Sequence, residues 1–89
     1  MPTLFVRHTV ADYAAWRKVY DDFAPVQKAA GVTSQGIYQA VDNPNDVTVY
    51  HEFGTIEQVQ GFLAGADLKA AMERAGVQGP PTIWVTNRS

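Results

Sequence analysis

Hydrophobic and polar positions alternate from Thr3 to Val10. Leu4, Val6, His8 and Val10 fall on one side, and Phe5, Arg7 and Thr9 on the other. A period of two predicts a β-strand with one covered face. The period then changes: Tyr13, Trp16, Val19, Tyr20, Phe23 and Val26 recur at spacings of three and four, one wide apolar stripe on a helix. Asp12 stands where the N-cap belongs, and Gly31 where a left-handed residue would end the helix. Pro25 predicts a kink near Ala24, unless the helix ends before it. A second strand is expected over residues 34–41, with Tyr38 and Ala40 on one face and Ile37 and Val41 on the other. Both faces are semi-apolar, so the pattern does not orient it. The run DNPND at 42–46 is rich in turn formers and reads as a hairpin connection into the next strand, VTVYHEF, Val47 to Phe53.

The second half repeats the alternation of periods. Thr55 with Gln58 three residues on is a capping-box pattern. Ile56, Val59, Phe62 and Leu63 share the helical face that follows. Gly65 interrupts, Asp67 is placed to cap a second short helix carrying Leu68, Ala71, Met72 and Ala75, and Gly76 stops it. GPP then keeps the chain extended into a last strand over 82–86, where Ile83 and Val85 oppose Trp84. AAGV at 29–32 and RAGV at 74–77 are a weak internal echo, each ending a helix before a strand.

The order strand, helix, strand, strand, helix, strand predicts an α+β fold: ferredoxin-like βαββαβ, a four-stranded antiparallel sheet with its helices on one face. The aliphatic series Leu4, Val6, Val47, Val49, Ile83 and Val85 is assigned to the helix side. His8 and His51 share its parity, so they point between sheet and helices, toward Trp16 and Tyr20. The opposite face then carries Phe5, Tyr50 and Trp84 as one apolar patch, with Arg7 and Glu52 placed to pair across strands. Patches of this kind mark interfaces, and two sheets packed face to face would bury the rings of both chains. A homodimer is expected.

Composition narrows the function classes. An 89-residue chain that is 46% hydrophobic and 18% charged is a single folded domain, residues 1–89, small enough for partner burial to matter. A net charge of −2 without a basic run argues against nucleic acid. The absence of cysteine removes disulfides, thiolate metal sites and a cysteine nucleophile. The opening MPTLFVRHTV has too short an apolar run for a signal peptide, and no stretch approaches a membrane span, so no membrane association and a cytoplasmic location are expected. There is no phosphate loop, nucleophile elbow or paired-carboxylate pattern.

VRHTVADYAAWRKVYDDF, DNPNDVTVYHEF and LKAAMERAGVQGPP together resemble small antibiotic-biosynthesis-monooxygenase-like proteins of the dimeric α+β barrel superfamily, nearly end to end. The resemblance implies a homodimer whose two sheets form a barrel, with a pocket in each chain between sheet and helices. It also implies oxygenases that need no metal or flavin and deprotonate planar phenolic or anthrone-like substrates. No diagnostic catalytic motif carries over residue by residue. The haem-degrading branch places its ligating histidine on a helix, whereas both histidines here fall on expected strands.

His51 and His8 are the candidates for catalysis, because a neutral imidazole in an apolar pocket can accept a proton near neutral pH. The competing reading makes each a core histidine bonded to a backbone carbonyl or a tyrosine. Trp16, Tyr20, Tyr38 and Phe62 are candidate lining for a small apolar or aromatic ligand, although an aromatic stripe at helical spacing also serves as plain core. Two imidazoles without a third ligand make no convincing metal set, so no metal or other cofactor is expected. Three functions stay open: a cofactor-independent monooxygenase, a cyclase or isomerase using the same deprotonation, and a non-catalytic ligand-binding or interaction module.

Overall fold

A computed structural model describes the whole chain, Met1–Ser89. Its elements are β1 (Pro2–Val10), α1 (Tyr13–Asp22), α2 (Ala24–Ala30), β2 (Val32–Ala40), β3 (Asn43–Phe53), α3 (Ile56–Ala64), α4 (Ala66–Arg74) and β4 (Val77–Asn87). The strands form one sheet in the order β2-β3-β1-β4, and every neighbouring pair is antiparallel. This is the expected ferredoxin-like α+β fold. No helix is long and apolar enough to cross a membrane.

The expected first helix is two. Pro25 has no N–H to give and its ring clashes one turn back, so α1 ends at Asp22 and α2 restarts with proline in its first turn. Gly31 closes α2 in the left-handed conformation, φ 102°. Thr55 and Gln58 form the capping box reciprocally. Asp67 does not cap α4; Gly65 holds that position and Asp67 lies in the first turn. Asp12 has the extended backbone of an N-cap, but its carboxylate takes no N–H. Asn45, from the β2–β3 hairpin, accepts from the Tyr13 N–H at 3.0 Å instead. The hairpin turn is shorter than expected, because β3 already begins at Asn43. β4 is longer, absorbing Gly79, Pro80 and Pro81 as an irregularity in its pairing with β1.

Alternation decides what the sheet buries. Leu4, Val6, Val10, Val47, Val49 and Phe53 lie beneath Trp16, Phe23, Val59, Phe62, Ala71 and Ala75 as one cluster. Leu4, Val47 and Phe53 are fully buried, and each such side chain contributes roughly 1.5–3 kcal/mol by leaving water. Ile83 and Val85 share this face by register, opposite Val6 and Leu4. They remain 41% exposed each, because β4 is the sheet edge and α4 covers it incompletely. Ile56, expected on the inner face of α3, is also exposed.

Candidate functional site

The two central strands build the floor. In their register Leu4 faces His51, Val6 faces Val49 and His8 faces Val47, three rungs that all point toward the helices. His51 and His8 therefore stand at opposite ends of this ladder. Four residues of strand separate their rungs, roughly 13 Å at about 3.3 Å per residue. Both imidazoles are buried, His8 to 7% exposure and His51 to 4%.

The inner stripe of α1 bridges that gap with aromatic rings. Trp16 meets His8 edge-on at 5.7 Å between centroids and stacks on Tyr20 at 4.9 Å. Tyr20 in turn lies 6.0 Å from the His51 ring. Phe62, from α3, closes the His51 end at 5.7 Å. These groups line a partly open cavity of about 50 Å³ with 11 hydrophobic residues among its 14 lining residues. The space admits water or a similarly small molecule, and is roughly a third of a cavity that takes benzene. Larger hollows of about 280 and 330 Å³ lie among the outer helix surfaces and beside β4, and neither histidine lines them.

Polar bonding inside this shell is sparse. The Tyr20 hydroxyl donates to Gln35 Oε1 at 2.6 Å and lies 3.2 Å from His51 Nε2. His51 Nδ1 and both ring nitrogens of His8 are buried without a hydrogen-bond partner. Buried polar atoms are ordinarily paired, by protein, water or ligand, so three such nitrogens on the two histidines that line one cavity set it apart from ordinary core. Burial alone depresses both imidazoles, His8 below its usual 6.5 and His51 to about 4. Burial also pushes the Tyr20 phenol up to about 12, a rise that the nearby Gln27 amide opposes. At neutral pH the interior therefore holds two uncharged imidazoles and an un-ionised phenol. No group of three His, Cys, Asp or Glu side chains converges to hold a metal ion.

The structure brings His8, His51, Trp16, Tyr20 and Phe62 to the cavity. It does not bring Tyr38 there. Tyr38 shares the parity of Gly36 and Tyr50, stands on the opposite face of the sheet, and is 63% exposed. That face carries an aromatic row crossing all four strands: Tyr38 to Tyr50 at 6.2 Å, Tyr50 to Phe5 at 6.4 Å, and Phe5 stacked on Trp84 at 5.3 Å. The Tyr50 ring lies over Gly36, where a β-carbon would collide with it. The expected pairing of Arg7 with Glu52 does not form. Their rungs are four residues apart, so Arg7 grips its diagonal neighbour Asp46 with two bonds, at 3.0 and 2.6 Å. Glu52 sits 3.8 Å from Arg88.

Gln27 and Gln35 escaped the sequence reading. Gln27, buried to 5%, continues the α1 stripe four residues beyond Phe23, and a polar residue on an apolar stripe was its signal. Gln35 lies opposite His51 in the β2–β3 register, which a strand of undetermined orientation could not reveal.

No family model matches the sequence, and no curated protein matches it. Solved structures do. One is a protein from Bordetella bronchiseptica whose naming as an antibiotic biosynthesis monooxygenase is itself an inference; it is 14% identical with a TM-score of 0.84, over 99% of this chain and 96% of that one. A mutant of SnoaB, a cofactor-independent oxygenase from Streptomyces nogalater, is 15% identical with a TM-score of 0.80, over 98% and 91%. A protein of unknown function from Nitrosomonas europaea is 24% identical with a TM-score of 0.75, over 96% and 85%. The fold is thus one shared with antibiotic-biosynthesis-monooxygenase-like structures, as the sequence resemblance implied.

Proposed function

We propose that the chain is a cofactor-independent monooxygenase for a small aromatic or polyketide-like substrate, working as a homodimer joined through the aromatic sheet face. The observation that carries this reading is the pair of buried histidines, with unpartnered ring nitrogens, that line an apolar, helix-covered cavity. His51 takes a proton from an acidic C–H, the carbanion combines with O₂, and loss of water leaves a carbonyl, so that CH₂ and O₂ become C=O and H₂O. His51 is a weak base in the empty site. The enolate that forms beside it raises its proton affinity, since opposite charges in a dry cavity stabilise each other. Trp16 and Phe62 hold the flat ring. His8, roughly 13 Å away along the sheet, acts on a different part of the substrate from His51.

The ring-sized space this requires exceeds the cavity's about 50 Å³, so substrate entry must displace the α1 and α4 side chains that roof it. The same volume favours a second reading, a non-catalytic module that binds a very small ligand. Oxygen uptake with anthrone-type substrates separates the two. The enzyme consumes oxygen, and His51→Ala lowers turnover by about 10²–10⁴-fold, the range for loss of a general base. Turnover unchanged in the His8→Ala, His51→Ala double variant rules out the base assignment. Product formed equally well without air identifies a cyclase or isomerase.

A further inference from the structure

We propose that Gln35, acting through the Tyr20 hydroxyl, holds the His51 proton on Nε2 and leaves Nδ1 as a bare lone pair, so that the site takes ligands that present a proton donor. A phenol has one proton to give. The Tyr20 oxygen lies 2.6 Å from Gln35 Oε1, a carbonyl oxygen that can only accept, so that proton belongs to Gln35. The Tyr20–His51 contact at 3.2 Å is then a hydrogen bond only if Nε2–H donates to the tyrosine oxygen. A neutral imidazole has one N–H, so Nδ1 is the acceptor, and it is the buried nitrogen without a partner.

The arrangement follows from the fold. Gln35 lies opposite His51 in the β2–β3 register, and Tyr20 reaches both from α1. Gln35 is exposed while His51 is buried, so the relay runs from the surface to the cavity wall. A lone pair there selects phenols, enols and C–H acids. It rejects carboxylates and other groups that offer only lone pairs. Gln35 and Tyr20 are positioning residues. Use of Nδ1 as the base rests on the proposed oxygenase function, whereas the tautomer does not.

Long-range ¹H–¹⁵N spectra of the ¹⁵N-labelled protein at neutral pH test this directly. The chain has two histidines, and a His51→Phe variant assigns their signals. The expected wild-type pattern is a protonated, pyrrole-type Nε2 and a pyridine-type Nδ1. Gln35→Leu removes the acceptor, so the Tyr20 proton turns to Nε2 and the tautomer reverses. Gln35→Glu supplies an acceptor again and keeps the wild-type pattern. A wild-type His51 protonated on Nδ1 overturns the proposal, as it would if the Gln35 amide were turned to donate. So does Gln35→Leu with the tautomer unchanged. The expected tautomers in a protein that consumes no oxygen support the relay and count against the oxygenase reading alone.

Discussion

His51 is uncharged in the folded protein down to about pH 4, because burial among aromatic rings removes the water that would solvate an imidazolium. In the unfolded chain the same group protonates near 6.5. Between those values the unfolded state binds a proton that the folded state does not, so stability falls as pH drops through this window and is unaffected above it. The gap corresponds to roughly 3 kcal/mol for His51, and His8 adds a contribution of the same sign. Urea denaturation at pH 7.5 and 4.5 should show the loss, and His51→Leu should remove most of its share. An equal pH dependence in wild type and variant would contradict the assignment of His51 as a buried neutral group. That both histidines point inward was legible in the sequence, since alternation fixes parity wherever one face is clearly aliphatic. Tyr38 was not legible for the same reason in reverse: the faces of β2 are equally apolar, and only its pairing with β3 orients it.

Among the elements, local signals were readable and distant ones were not. Thr55 and Gln58 cap α3 within four residues, a geometry the helix itself imposes. The N-terminus of α1 depends instead on Asn45, which is 32 residues away and arrives only when the β2–β3 hairpin has formed. Two substitutions separate these contributions. Asn45→Ala should cost about 1 kcal/mol, the usual value of a lost cap. Asp12→Ala should cost only a few tenths, since its carboxylate acts there through the helix dipole alone. Thr55→Ala should match Asn45→Ala. Chemical denaturation measures all three, and an Asp12 effect larger than that of Asn45 would mean that Asp12 is the operative cap in solution. The break at Phe23 belongs to the readable class, because Pro25 forces it whatever surrounds it. Its consequence for the site was not readable: restarting the helix as α2 carries Gln27 to the cavity wall.

For the molecule as a whole, the sheet is greasy on the side the helices do not cover. Tyr38, Tyr50, Phe5 and Trp84 form a continuous row from one edge strand to the other, with Tyr38 63% and Trp84 40% exposed. A domain of this size buries little surface by itself, here 17 of 89 residues, and gains disproportionately from a partner. The row is flanked by the Arg7–Asp46 pair, which satisfies its own charges and leaves the rings free to meet another apolar surface. A second copy offers that surface with the same row, as two-fold symmetry requires. Sedimentation equilibrium at micromolar concentration should therefore give twice 9.8 kDa. The unfolding midpoint should rise with protein concentration, because association favours only the folded state. Trp84→Glu introduces two like charges into the paired face and should yield a monomer whose midpoint is lower and independent of concentration. With Trp16→Phe as the background, Trp84 becomes the sole indole, and its emission should shift to the red on dilution as the pair separates. A wild-type chain that sediments as a monomer, with a midpoint indifferent to concentration and Trp84 wet throughout, would leave the aromatic row without a partner of its own kind.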